Sequence, residues 1–208
     1  QTPHFIKTDQ IKNVSQLSEF TETLYKLEGY DQYLIATSEQ PLTAYFQNTS
    51  IKQTDLPLQL AGISTCYRKE VGAHAKDTRG IFRVHQFEKL EQFCVTKPEN
   101  SWEMFHKMIN ISEEFYKSLG FSYRVINIVS GALNKSASMK YDIEAFFPGS
   151  NNFKELVSCS NCLDYFSQRI SCKDDKKNNL HMLNATLFAN TRTICCLLET
   201  YQTNDGII

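Results

Sequence analysis

The sequence predicts an α+β fold in which an antiparallel β-sheet is flanked by helices, and three observations carry that expectation. Strand-like runs outnumber helical ones. Two long strand-like runs, residues 58–70 and 81–95, are separated by a polar stretch, 72–80, of hairpin-loop length. Neither regular βαβ alternation nor an internal repeat is present.

Taken in order, residues 9–27 place Ile11, Val14, Leu17, Phe20, Leu24 and Leu27 at steps of three and four, which predicts an amphipathic helix. Residues 33–37 (Tyr-Leu-Ile-Ala-Thr) read as a short strand, and Ser38 followed by Glu39 and Pro41 signals a helix start leading into 42–46. The two runs of the long hairpin come next. Residues 101–119 form the clearest helix, with Trp102, Phe105, Met108, Ile109, Phe115, Tyr116 and Leu119 on one side and Gly120 as a left-handed stop. Residues 121–129, 140–147 and 154–159 read as strands, with a Pro148-Gly149-Ser150 turn before the last. Residues 173–179 are a polar run read as a solvated loop. Residues 193–201 close the series as a buried helix marked by Ile194, Leu197, Leu198 and Tyr201.

Composition bounds the function classes. The 208 residues are 41% hydrophobic and 22% charged, the profile of one globular domain rather than a disordered or collagen-like chain. No apolar run approaches the roughly 20 residues that cross a bilayer, so no membrane partner is expected. Twenty-two basic against 23 acidic residues leave a net charge of -1, so any polyanion must be held by a local cluster. Seven cysteines, an odd number set mostly in apolar stretches with no secretory leader before them, favour a reducing, cytoplasmic compartment. The abrupt start at Gln1-Thr2-Pro3 and end at Gly206-Ile207-Ile208 read as those of a fragment.

Chemistry concentrates on the hairpin. Alternation along a strand would project Arg68 and Glu70 together, and would put Arg83, His85, Phe87, Lys89 and Glu91 on one face of the return strand. Burying such charges unpaired costs several kcal/mol per ion, so this face is either solvated or built around a charged ligand. Arginine offers a permanently charged fork for phosphate, a flat ring can stack on a purine, and a carboxylate accepts bonds from an amine. Glu155 and Ser158 are of the type that hold Mg²⁺, although strict alternation separates them unless a bulge intervenes. Asp142 and Glu144 share a face and read as structural. The Cys159-Ser160-Asn161-Cys162 spacing has no second CxxC, and Cys172 and His181 follow no familiar finger spacing, so no zinc is expected. A nucleophilic pair such as Cys66 with His85 reads as packing. No GxxxxGK[ST] or GxGxxG occurs, so a nucleotide here would be bound without a glycine loop.

Thr65-Cys66-Tyr67-Arg68-Lys69-Glu70 followed by Arg79-Gly80-Ile81-Phe82-Arg83-Val84-His85-Gln86-Phe87 resembles motif 2 of the class II aminoacyl-tRNA synthetases. The likeness narrows to the seryl-tRNA synthetases, of the eukaryotic cytosolic branch. It rests on Ala36-Thr37-Ser38-Glu39-Gln40-Pro41, Phe87-Glu88-Lys89-Leu90-Glu91-Gln92-Phe93, Glu155-Leu156-Val157-Ser158-Cys159-Ser160-Asn161-Cys162 and His181-Met182-Leu183-Asn184-Ala185-Thr186. It spans nearly the whole chain and implies a catalytic domain over 1–208 that lacks most of motif 1 and the N-terminal tRNA-binding arm. It implies two steps: ATP-dependent activation of L-serine to seryl-adenylate, then transfer to the 3′ end of tRNA(Ser), contacted at its acceptor end.

The same resemblance assigns roles. Arg68 would clamp the α-phosphate and the serine carboxylate, Glu70 would read the adenine amino group, Phe87 would stack on adenine, and Arg83 would support the triphosphate. Lys69, Val84, His85, Gln86, Leu156 and Val157 fall within the same ATP-binding segments. Glu91 would bind the α-amino group of serine with Thr37 and Glu39, and Asn184 and Thr186 would border the side-chain pocket. Glu155 and Ser158 would hold Mg²⁺, and Arg192 would be the motif 3 arginine, although no glycine precedes it here as the family's motif has. The full-length protein would be a homodimer. A synthetase-like binding protein without activity, and a ligase for another small amino acid or a carrier-protein acceptor, are the alternatives that the residues leave open.

Overall fold

The computed structural model describes residues 1–15, 22–70 and 80–207. Its centre is a six-stranded sheet of β4 (Leu58–Tyr67), β5 (Gln86–Thr96), β6 (Tyr123–Asn127), β7 (Met139–Phe147), β8 (Asn152–Asn161) and β10 (His181–Ala189). The spatial order is β4-β5-β10-β8-β7-β6, and every neighbouring pair is antiparallel. Small pairs surround it: β1 (Phe5–Lys7) with β2 (Gln32–Leu34) antiparallel, and β3 (Ser50–Ile51) with β9 (Lys173–Asp174) parallel. The helices are α1 (Thr8–Val14), α2 (Glu39–Tyr45), α3 (Ser101–Ser118), α4 (Tyr165–Arg169) and α5 (Asn190–Tyr201).

Each face of the sheet carries its own core. On one face Phe105, Met108, Ile109 and Tyr116 of α3 and Cys196 of α5 pack on Cys94, Ile143, Ala145, Val157, Leu183 and Ala185. On the other, Ile11 and Val14 of α1, Phe46 beyond α2 and Phe166 of α4 cover Phe93, Val95, Cys162 and Met182. Burying a phenylalanine such as Phe93 stabilises by about 1.5–3 kcal/mol. This second cluster ends at Phe93, and along the same face of β5 a cavity lined by polar groups replaces the apolar cover over Glu91, Lys89 and Phe87. That half-open face is where the polar residues gather.

The α+β expectation holds, with differences that have physical reasons. The strand β10 was not among the predicted runs; Met182 through Thr186 are all buried, and a strand covered on both faces loses the alternation that reveals strands. The helix predicted over 9–27 stops at Val14. Ser15 turns extended, with its hydroxyl accepting a 2.8 Å bond from the Gln40 side chain. Leu17 and Phe20 lie outside the described residues, while the Leu27 N–H bonds Gln32 and the Tyr25 carbonyl accepts from Leu34, as extended chain does.

The hairpin strands are shorter than predicted, ending at Tyr67 and beginning at Gln86, so strand alternation does not reach Arg68, Glu70, Arg83 or His85. Its predicted loop, 72–80, lies almost wholly outside the described residues. The Ser38 hydroxyl does not cap α2; it donates to the Gly62 carbonyl on β4 at 3.1 Å. An added Cβ at Gly62 would meet Ser38 Oγ at 2.7 Å and Leu42 Cδ1 at 2.8 Å, so glycine is what lets α2 approach the sheet. Helix α3 and its left-handed stop at Gly120 (φ +71) match expectation, although Trp102 is left 41% exposed. The buried residues of α5 are Thr193 and Cys196, whereas Ile194 and Leu198 are exposed. The run 173–179 is not simply solvated, because Asp174 is buried and β9 pairs with β3.

Candidate active site

A cavity of about 360 Å³ opens over the uncovered end of the second sheet face. Its floor comes from β5, where Phe87, Lys89 and Glu91 alternate toward it. Two β-bulges finish the floor. On β8 the register steps from Val157 opposite Ile143 to Glu155 opposite Glu144, leaving Leu156 unpaired, and both Glu155 and Ser158 then line the cavity. On β10 the register steps between Thr186 and Phe188, which keeps Asn184, Thr186 and Ala189 on the cavity side and starts α5 with Arg192 at the rim. The bulge that the Glu155–Ser158 pairing required is therefore present.

Charges in the cavity are held in pairs. Arg83 Nη1 lies 2.6 Å from Glu70 Oε2, which brings the two together although neither is on a strand. The Arg68 guanidinium sits 5.3 Å from the Phe87 ring centroid and donates through Nε to the Ala36 carbonyl. Arg192 donates to the Glu155 carbonyl at 3.1 Å and lies 4.8 Å from the Phe82 ring, whose face also meets Lys154 Nζ at 4.8 Å. Burial lowers the Arg192 pKa, Glu155 offsets this, and Arg68 and Arg83 lower it further.

At the deep end, Lys89 Nζ lies 2.5 Å from Glu91 Oε2 and 3.3 Å from Thr37 Oγ1. Burial pushes the Glu91 carboxyl above the usual carboxylate range, with Lys89 and then Arg68 pulling it back. The Asn184 side-chain amide donates to Glu39 Oε1 at 2.8 Å. On β7, opposite Ser158 of β8, burial and then the nearby Glu155 raise Asp142 to about 6. Two sheet-borne groups, Glu91 and Asp142, are thus carboxylates disfavoured by their surroundings, as is common where ligands bind.

Most residues singled out from the sequence meet here: Thr37, Glu39, Arg68, Glu70, Arg83, Val84, Phe87, Glu91, Glu155, Leu156, Ser158, Asn184, Thr186 and Arg192. Lys69, His85, Gln86 and Val157 do not line the cavity. His85 bonds the Tyr25 hydroxyl at 2.7 Å, Gln86 is exposed, and Val157 is sealed in the core under α3. Sequence reasoning gave no site role to Phe82, Lys89, Asn134, Ser136, Lys140 or Ser160, which also line it. Alternation placed Lys89 on the face of Phe87 and Glu91 without a role, whereas Asn134 and Ser136 come from an aperiodic loop that gives no signal. Among the described residues no three His, Cys, Asp or Glu side chains gather as a metal site. Burial raises the Cys66 and Cys162 thiols, the latter well above the ordinary range.

Residues 23–201 match the tRNA synthetase class II core domain (G, H, P, S and T). The chain belongs to that family. It is 55% identical to the cytoplasmic serine--tRNA ligase of Dictyostelium discoideum, over 100% of this chain and 48% of that protein. It superimposes on the crystal structure of the cytoplasmic serine-tRNA ligase from Naegleria fowleri in complex with AMP with a TM-score of 0.95 and 56% identity, covering 99% of this chain and 45% of that one. Against seryl-tRNA synthetase from Pyrococcus horikoshii complexed with ATP the TM-score is 0.94 at 42% identity, covering 99% of this chain and 47% of the other. The class II core described here therefore spans about half the length of the relatives it matches. Its antiparallel sheet with flanking helices is the class II synthetase fold.

Proposed function

We propose that this class II core activates L-serine with ATP and passes the seryl group to the 3′ end of tRNA(Ser). One observation carries the reading: a guanidinium over an aromatic ring, Arg68 on Phe87, shares a cavity with the buried Glu91, Lys89 and Thr37 cluster. The first pair suits a nucleotide and its α-phosphate; the second suits an amino acid. Relatives named as serine--tRNA ligases over the whole length of the chain support the choice of serine.

In this reading adenine stacks on Phe87 and its amino group donates to Glu70, which Arg83 steadies. Glu91, Thr37 and Glu39 take the α-ammonium end of serine, while Asn184 and Thr186 face its hydroxyl. A serine carboxylate oxygen attacks the α-phosphorus, the bond to the bridging oxygen breaks, and pyrophosphate leaves. No general base is required because the attacking carboxylate is already ionised. The work of Arg68 and Arg192 is to align the reactants and neutralise charge as it builds on the phosphates. Glu155 and Ser158 share the cavity wall and offer the hard oxygen donors that Mg²⁺ takes. When bound, that ion would neutralise further phosphate charge. In the second step a ribose hydroxyl at the 3′ end of the tRNA attacks the carbonyl carbon and AMP leaves.

The reading includes a cytoplasmic setting and, in the full-length protein, a homodimer. Apolar side chains at the β4 edge support the dimer: Phe5 and Ile63 are exposed where the Thr2 N–H bonds the Ile63 carbonyl. The test is serine-dependent exchange of pyrophosphate into ATP with a panel of amino acids. Serine should support exchange, and Arg68→Ala should lower it roughly 30- to 1000-fold while circular dichroism stays unchanged. An Arg68→Ala protein that exchanges at the parent rate overturns the assignment.

A further inference from the structure

We infer that Lys89 is a positioning residue for amino-acid recognition: its ammonium group holds the Glu91 carboxylate and the Thr37 hydroxyl aimed into the cavity for an incoming α-ammonium group. The inference rests on the serine-activation reading and deepens it by naming a residue that carries no role there.

The pair is oddly placed for a structural ion pair. Lys89 is 8% exposed and Glu91 1% exposed, and both alternate toward the cavity, not toward either core. Taking both charges out of water costs several kcal/mol per ion, and apolar residues at such positions would generally serve stability as well. Two positions further along the same face, Phe93 and Val95 do that. A lysine ammonium has three N–H donors. The ammonium is ion-paired with Glu91 Oε2 at 2.5 Å and donates to Thr37 Oγ1 at 3.3 Å, and so ties the strand floor to the segment that leads into α2.

The charged and titratable groups around Glu91 come from three directions. Lys89 is on its own strand, Cys66 and Arg68 lie on and just beyond β4, and Cys159 of β8 is within electrostatic range although it is buried in the core on the opposite face of the sheet. On β10 the residue paired with Glu91 is Thr186, which carries no charge. Lys89 and Arg68 are thus the cations that favour the ionised form, against a burial that disfavours it. Arg68 is also committed to the Phe87 ring and the Ala36 carbonyl. Without Lys89 the Glu91 carboxyl would take up a proton at higher pH, and a neutral carboxyl is a poor receptor for ammonium.

The experiment measures serine KM, ATP KM and kcat by pyrophosphate exchange from pH 6 to pH 8, on full-length protein carrying Lys89→Met or Lys89→Arg. For Lys89→Met, serine KM should rise roughly 10- to 100-fold while ATP KM moves less than about threefold. The rise should be larger at pH 6 than at pH 8, because higher pH restores the ionised Glu91. Lys89→Arg, which keeps the charge, should show a smaller rise and a flat profile. An unchanged serine KM in Lys89→Met, or parallel rises for ATP and serine with no pH dependence, overturns the inference while leaving serine activation standing. If Lys89→Met does not fold, Lys89→Gln decides by the same readings. A parent protein that activates no amino acid overturns the functional reading and this inference with it.

Discussion

Two buried carboxylates in this molecule behave in opposite ways. Asp174, 3% exposed, accepts the Lys176 and Asn178 backbone N–H groups on Oδ1 at 2.9 and 2.7 Å. Its Oδ2 accepts the Gln53 and Asn178 side-chain amides at 2.6 and 2.9 Å. Burial alone would raise its pKa, but the Gln53 and Asn178 bonds outweigh that and bring it down to about 2. Glu91, 1% exposed, is held by Lys89 at one oxygen, and burial leaves its pKa raised. A carboxylate that fixes a turn is saturated by backbone and amide donors that cannot leave. A carboxylate meant to bind keeps acceptor capacity in hand and tolerates an unfavourable resting state. The difference lies in the donors and in how deeply each charge is set, Glu91 in the interior and Asp174 close beneath the surface.

Replacing each carboxylate by its amide tests that contrast, and the larger effect belongs at Glu91. Glu91→Gln keeps size and polarity but removes the charge that an α-ammonium group needs. Serine activation should fall roughly 10²- to 10³-fold in kcat/KM, the scale of losing one charge-assisted contact in a dry site. ATP binding, followed by calorimetry, should change little because Phe87, Arg68 and Glu70 are untouched. Equal losses toward ATP and serine would mean that Glu91 holds the cavity's shape and not the amino acid.

A second and smaller effect is expected at Gly62, which faces Glu91 across the β4–β5 register. The methyl group of Gly62→Ala meets the Ser38 side chain and Leu42 at under 3 Å, so α2 must back away. The cost should be about 1–3 kcal/mol in denaturant unfolding. Serine KM should rise more than ATP KM, because Thr37 and Glu39 ride on that segment while Phe87 does not. Unchanged stability would show that α2 does not need its close approach to the sheet.

The sequence made the site more legible than the fold around it. Arg68, Glu70, Phe87 and Glu91 stood out because charges grouped beside apolar strands must be solvated or serve a charged ligand, and the resemblance to motif 2 decided between the two. The reasoning that linked them was partly wrong, since β4 and β5 end before Arg68, Glu70 and Arg83, and the two chain ends are joined by the Arg83–Glu70 ion pair and by the 3.0 Å bond that the Arg68 N–H donates to the His85 carbonyl. Glu70 itself sits at φ +52, outside any strand. Strand β10 was invisible because burial on both faces erases periodicity, and the bulge at Leu156 was invisible because register belongs to the partner strand. Asp174 hid inside a run of Lys, Asp and Asn that reads as solvated, and only the folded turn shows that the Lys176 and Asn178 N–H groups point at its carboxylate.

That hidden carboxylate supplies the smallest effect and the cleanest sign. The Asp174 pKa lies below its ordinary value of 3.8, at about 2, so in acid the unfolded chain binds a proton before the native one does. Its contribution to stability is therefore fully present above about pH 4 and is lost as pH falls toward 2. Asp174→Asn should be less stable than the parent at pH 7 in urea unfolding, and the gap should close as the pH is lowered through that window. Glu91 has the opposite sign: its raised carboxyl makes ionisation a burden on the fold, so its contribution declines as pH rises above the ordinary carboxylate range. A gap between Asp174→Asn and the parent that stays constant down to pH 2.5 would mean that the turn depends on the shape of the side chain and not on its charge.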